Sequence, residues 1–245
     1  MSITLYTRNI LETGTVTVTG TPDTGYPEAR LHDRAVSLYW KDTVTEAKDF
    51  TVDQGASGNL AVDFLAVFRH NFSGIAMQWQ YSNDDFSADV NDAVTDWTQG
   101  DNNAIVKVMG SAETQRYWRV TLASMANPKC GEIFMSFGRS FDVMQSPASV
   151  AGENDNVRWH RSVGGLERST KLGEAVRHRQ YTLFLSASEL TSFQAAMAEL
   201  DEYSRPFWIK DDAGAYFPCR LLAPPAEIGD HKTHAHLRIE VVEML

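Results

Sequence analysis

The chain has 245 residues, with 22 basic and 32 acidic side chains and a net charge of −10. That balance disfavours a duplex-binding module, because an acidic surface repels phosphate backbones, while 43% apolar residues are enough to build a core. No stretch reaches the ~18 to 20 consecutive apolar residues that span a bilayer, and the start MSITLYTRNI lacks a basic-then-apolar export signature. The expectation is a soluble protein made in a cytoplasm, with neither nucleic acid nor membrane as partner.

Residues 1–150 carry 11 basic and 18 acidic groups, and residues 151–245 carry 11 and 14, an asymmetry that suggests two units. Thr15 to Thr19 alternates Thr with Val, and Ile75, Met77, Trp79 and Tyr81 share one face of an alternating run, as do Trp118, Val120 and Leu122. Such period-two patterns predict half-buried strands. Val62 to Phe68 is almost continuously apolar, which predicts a strand covered on both faces or one lying across the middle of a sandwich. Gly, Asn and Asp clusters between these runs supply turns. The predicted fold class is mainly β: an N-terminal jelly-roll β-sandwich over 1–145, a linker over 146–157 and a small α+β domain over 158–245.

In the second unit Tyr181, Leu183 and Leu185 alternate as a strand. Ser186 and Glu189 then have the S-x-x-E spacing of a capping box, which starts a helix whose apolar stripe is Leu190, Phe193, Met197 and Leu200. Pro206 ends it, Phe207 to Ile209 begins a strand, and Asp211-Asp212-Ala213-Gly214 predicts a hairpin turn into Tyr216 to Leu222. A strand with Leu237, Ile239 and Val241 on one face closes the chain. The β–α–β–β–β order predicts a small antiparallel sheet with one helix on it.

Chemistry-bearing motifs are sparse. The phosphate-loop, dinucleotide, nucleophile-elbow and H-E-x-x-H patterns are all missing, so no catalytic residues and no cofactor are expected. Cys130 and Cys219 fit no metal or redox spacing and are expected to be buried thiols. His231, His234 and His236 form a weak metal candidate, because alternate strand positions put two imidazoles on one face; the bland reading is an exposed strand face. Asp84, Asp85, Asp89, Asp92, Asp96 and Asp101 lie in a stretch without Lys or Arg, which could hold Ca²⁺ but is better read as a solvated loop. Trp40 and Trp97 sit beside polar residues and are the candidates for stacking on a sugar ring. Arg158, Arg161, Arg168, Lys171, Arg177 and Arg179 make a local basic run, the candidate interface with another acidic subunit.

The runs Ala29 to Asp33, Phe50 to Asp53, Phe64 to Phe72, Gln78 to Ser82, Arg116 to Val120 and Gly131 to Ile133 resemble the galactose-binding-like (discoidin-type) jelly roll. Tyr181 to Leu185, the short helix, Pro206-Phe207-Trp208, the hairpin and the closing Glu240 to Glu243 resemble modules of tailed-bacteriophage tail-tip or baseplate proteins. The second resemblance implies a non-enzymatic virion structural protein, assembled in a host cytoplasm through contacts with copies of itself and other tail proteins. A carbohydrate-binding module recognising a host glycan is the alternative, and a polysaccharide hydrolase using carboxylates between Asp84 and Asp101 ranks third.

Overall fold

A computed structural model describes residues 1–244 except 36, 57–58, 145–148, 155–156, 162–166, 172–175, 202 and 232–233; for 149–175 and 229–233 it describes backbone only. The chain forms two compact units, one made of Arg8–Gly138 and the other of Met1–Thr7 with Arg139–Leu245. Strand β1 (Ser2–Tyr6) thus belongs with the C-terminal half.

The Arg8–Gly138 unit contains β2 (Thr15–Val18), β3 (Trp40–Lys41), β4 (Glu46–Asp53), β5 (Val62–Phe68), β6 (Ala76–Ser82), β7 (Asn91–Asp92), β8 (Trp97–Thr98), β9 (Ile105–Glu113), β10 (Tyr117–Met125), β11 (Lys129–Cys130) and β12 (Glu132–Ser136). A six-stranded antiparallel sheet runs β2-β4-β10-β6-β7, with β8 also on β6. A three-stranded sheet runs β12-β5-β9. Phe50, Val52, Trp79, Trp118 and Val120 from the first sheet share one core with Leu65, Val67 and Ile133 from the second, which makes a β-sandwich. Strand β5 is covered on both faces as its apolar run predicts: Leu65 and Val67 enter that core, while Phe64 and Ala66 are buried on the other side, where Phe64 meets Phe134 edge-on at 6.4 Å.

The second unit contains β1, β13 (Arg139–Asp142), β14 (Ser149–Asn154), β15 (Val157–Arg161), β16 (Glu167–Lys171), β17 (Val176–Ser186), α1 (Ala187–Ala198), β18 (Phe207–Lys210), β19 (Tyr216–Leu221), β20 (Ala226–His231) and β21 (His234–Glu243). Its eight-stranded antiparallel sheet runs β13-β1-β18-β19-β21-β17-β14, with β20 on β21, and β15 and β16 pair separately. Tyr181, Leu183, Leu185, Leu237, Ile239 and Val241 pack with Phe193, Ala196 and Met197 of α1, and Phe141 meets Phe193 edge-on at 5.5 Å. The helix begins as the sequence predicts: the Glu189 N–H donates to Ser186 Oγ at 3.4 Å and the Ser186 N–H donates to Glu189 Oε2 at 2.8 Å.

This division differs from the expected one. The unit boundary lies at Gly138/Arg139, not at 145, and residues 149–154, expected as linker, form β14 on β17. Residues 1–7 leave the sandwich because Ile3 and Leu5 alternate into the other core, where Ile3 pairs with Phe141 and Leu5 with Ile209. Sheet neighbours are set by backbone pairing across the chain, which contiguity and loop polarity do not reveal.

Candidate functional site

Strand alternation gives the six-stranded sheet an inner apolar face and an outer polar one. On β10 the inward residues are Trp118, Val120 and Leu122, so Tyr117, Arg119 and Thr121 point outward. Thr121 is in register with Asp49 of β4 and Gln78 of β6; Arg119 is in register with Thr51 and Gln80. These pairings lay the outward groups in rows across the sheet, with neighbouring strands ~4.8 Å apart.

The rows are hydrogen-bonded across strands. Thr121 Oγ1 donates to Gln78 Oε1 at 3.3 Å, and Gln78 Nε2 donates to Asp96 Oδ2 at 2.7 Å. In the next row Arg119 directs Nε and Nη2 to Gln80 Oε1 at 3.2 and 2.7 Å, and Gln80 Nε2 donates to Asp92 Oδ1 at 2.9 Å. The Arg119 guanidinium also lies 4.0 Å from the Phe86 ring centroid. At the far end Asp53 takes a bidentate pair from Arg116 at 2.7 and 2.8 Å, and that guanidinium bond holds its carboxyl below the usual range.

At the opposite end of the rows the outward residues become Ala47, Ala76 and Ala123, all exposed. Three methyl groups beside a row of long polar side chains leave a depression. An open cleft of about 390 Å³ results, lined by these alanines with Asp49, Gln78, Asp96, Arg119 and Thr121. Rigid strands thus hold planar amide, carboxylate and guanidinium groups beside small apolar ones. Such a set can bond hydroxyls or amines and rest an apolar ring face on methyls.

Several candidate residues serve other ends. Trp40 is fully buried, edge-on to Phe50 at 5.0 Å, so it offers no face to a ligand. Its polar neighbour misleads, because Asp42 is itself buried on Lys48 with Nζ to Oδ2 at 2.6 Å. Trp97 is half-buried against the sandwich core, with the Lys107 ammonium 4.3 Å from its ring centroid, and it does not line the cleft. Asp84 organises its own loop: it accepts from the Ser87, Ala88 and Asp89 amides at 3.2, 2.9 and 3.1 Å. Burial pushes its carboxyl up, but the Ser82 hydroxyl and these amides outweigh that and hold it low. A general acid needs the opposite shift. Asp89 accepts from the Asn83 N–H and the Asn91 amide at 3.0 and 2.6 Å, and Asp101 caps Asn103.

In the second unit His234 and His236 do share a face of β21, both against Phe184 of β17: His234 stacks on its ring at 4.3 Å and His236 meets it edge-on at 4.9 Å. The side chain of His231 lies outside the described residues, and among the described residues no three His, Cys, Asp or Glu groups gather as a metal site. The side chains of Arg158, Arg161, Arg168 and Lys171 also lie outside the described residues. Arg177 faces Glu243 at 3.7 Å and Phe217 at 5.2 Å, and Arg179 Nη1 donates to the His178 carbonyl at 3.1 Å. Cys130 and Cys219 are buried free thiols. Among the described residues no helix is long and apolar enough to cross a membrane. The residues that line the cleft were readable as the outward partners of predicted strands, a signal that the inward apolar pattern overshadowed.

No family model and no curated protein matches the chain. Among solved structures it is similar to a family 32 carbohydrate-binding module produced by Clostridium perfringens, at 21% identity over 52% of this chain and 98% of that one, with a TM-score of 0.42. It is also similar to chitosan-binding module 1 of a chitosanase/glucanase from Paenibacillus sp. IK-5, at 18% identity over 53% and 99%, with a TM-score of 0.44. A family 29 fucosidase of Ruminococcus gnavus, solved with fucose, matches at 16% identity over 55% of this chain and 28% of that one, with a TM-score of 0.45.

Proposed function

We propose that the Arg8–Gly138 unit is a non-catalytic carbohydrate-binding module whose ligand lies in the cleft on the six-stranded sheet. The observation that carries this reading is the cleft itself, where Ala47, Ala76 and Ala123 adjoin Asp49 and the bonded row of Thr121, Gln78 and Asp96. A pyranose needs an apolar floor for its C–H face and convergent polar groups for its hydroxyls, and this cleft supplies both on rigid strands. Titration calorimetry of the full chain against a panel of oligosaccharides tests it. Binding that Ala76→Trp reduces at least about tenfold, the equivalent of about 1.4 kcal/mol, is the expected result. Binding to no glycan, or binding indifferent to Ala76→Trp, overturns it.

A second reading concerns the other unit. We propose that it carries the assembly role implied by its resemblance to tail modules, joining copies of itself and other proteins of a phage or phage-like tail. Phe184, Tyr203, Leu222 and Ile228 are exposed there, and Leu190, Met197 and Leu237 line a groove of about 600 Å³. An apolar groove that exposed Tyr203 borders, with exposed Phe184 on the other face of the sheet, favours a protein partner. Light scattering that shows a strict monomer at high concentration, together with no association with tail proteins, overturns this reading.

A further inference from the structure

Which sugar the cleft takes follows from which of its groups are already committed, granted the carbohydrate-binding reading above. Each donor-bearing side chain of the rows gives at least one proton to a neighbour. Thr121 gives its hydroxyl proton to Gln78, Gln78 gives an amide proton to Asp96, and Arg119 gives two N–H groups to Gln80 while its flat face meets Phe86. The acceptors remain open. The carboxylate of Asp49 has no hydrogen-bond or ion partner among the described residues, and Asp96 engages Gln78 through Oδ2 alone. Asp92, bonded to Gln80, adds a third carboxylate to this face, against the one guanidinium of Arg119. Asp53 and Arg116 cancel each other.

We propose that the cleft recognises an amine-bearing, cationic glycan, with Asp49 and Asp96 accepting hydrogen bonds from protonated sugar amines. A charge-assisted bond to a carboxylate is roughly twice as strong as a neutral one. A uronate would instead place its carboxylate against three others, in a chain whose net charge is already −10. Asp49 and Gln78 lie one strand to either side of Thr121, so their Cα atoms are roughly 10 Å apart, with Asp96 beyond Gln78. A ligand of more than one sugar residue is needed to reach both carboxylates.

The test titrates the full chain with oligomers of glucosamine, of N-acetylglucosamine and of galacturonic acid, at mildly acidic pH where the sugar amine is protonated. The expected result is glucosamine binding at least about tenfold tighter than N-acetylglucosamine, with the gap closing in about 1 M salt, where the Debye length is about 3 Å. The double variant Asp49→Asn/Asp96→Asn should bring the ratio of the two affinities close to one. Ala47→Arg, which removes no interaction of the fold and sets a cation at the rim, should lower the same ratio. An N-acetylated or uronic oligomer bound as tightly as the amine, or a ratio that neither variant moves, overturns the charge assignment and leaves carbohydrate binding standing. No binding to any of the three, nor to any member of the wider panel, overturns both.

Discussion

The two units solve the problem of buried polarity differently. In the sandwich, among the described residues, Arg34, Asp42, Lys48, His70 and Glu132 are all buried. Among the described residues of the unit of β1 and β13 to β21, the buried charged residue is Asp211, which accepts the Ala213 and Ala215 amides at 3.0 and 2.7 Å and so closes a hairpin turn. The sandwich has long connections, such as the one between Val18 and Trp40, and ionic groups pin them. Lys48 Nζ joins Asp42 and Glu46, each at 2.6 Å, tying the segment before β4 to that strand. Arg34 pairs with Glu12, its Nη2 donating to Oε2 at 3.1 Å, and joins the two segments that carry them. His70 Nε2 holds the Asn103 carbonyl at 2.7 Å, and burial pushes its pKa down. The second unit has an ion pair too, Arg139 to Glu199 Oε2 at 2.8 Å, but it stays partly exposed and the core beside it is built by regular alternation. The difference is one of burial: the sandwich encloses ionic groups such as Lys48 and Asp42 completely, while the described ion pairs of the second unit stay partly exposed around an apolar core.

Breaking the Lys48 cluster gives the largest expected effect. Burial opposes the charge on both Asp42 and Lys48, but their mutual bond outweighs it, so the carboxyl is held low and the ammonium high. Lys48→Met strands Asp42 as an uncompensated buried charge, at a cost of about 3–5 kcal/mol. Hydrogen exchange should show protection lost in β4 and β10 while β17 and β21 keep theirs; equal loss in both units would mean that the Lys48 cluster is not local to the sandwich's stability. Gly20 sharpens the same point. Its φ is +97°, and an added Cβ would lie 2.6 Å from Glu46 Oε1 and 2.8 Å from Asp42 Oδ2. Gly20→Ala should therefore destabilise the sandwich by about 1–3 kcal/mol in a chemical-denaturation curve.

Glu132 provides a pH-dependent version. Burial pushes its carboxyl up to about 8, opposed by Arg34 and assisted by Glu12 and Asp33. The folded state therefore keeps a proton that the unfolded chain releases near about 4.3. Stability falls as pH rises from there to about 8, and the whole cost is present above it. Glu132→Gln, neutral at every pH, should flatten this fall, with a gain in the sandwich's Tm of at least about 4 °C on the alkaline side. A wild-type profile no steeper than that of the variant would contradict the assignment.

How much of this was legible in the sequence follows the same division. The helix of the second unit, its capping box and its apolar stripe depend on neighbours three and four residues apart, and Ser186 to Leu200 declared them. Strand β5 was legible from seven consecutive residues. The membership of β1 was not, since Leu5 pairs with Ile209, and pairing at that separation leaves no local trace. The sites suffered most. Trp40 looked accessible because Lys41 and Asp42 follow it, yet Asp42 is drawn inward by Lys48, six residues on. In the sequence Asp96 is one of an acidic run, whereas its place in the cleft depends on Gln78, which strand pairing sets in one row with Thr121 and Asp49.

The smallest effect tests the second unit on its own terms. Ser186 accepts the Glu189 amide and Glu189 accepts the Ser186 amide, so each side chain satisfies a backbone donor that the first turn of α1 cannot. Ser186→Ala removes one half of the exchange and leaves the apolar stripe untouched, which sets the cost near ~1 kcal/mol. Exchange of the α1 amides should quicken about fivefold while the strands of the sandwich are unaffected. Ser186→Thr keeps the accepting oxygen and should restore most of the protection. The contrast between the units rests on this modesty. If losing one cap cost the second unit as much as losing Lys48 costs the sandwich, its stability too would hang on single polar contacts, and packing of Phe193 and Met197 against β17 and β21 would not be what holds it together.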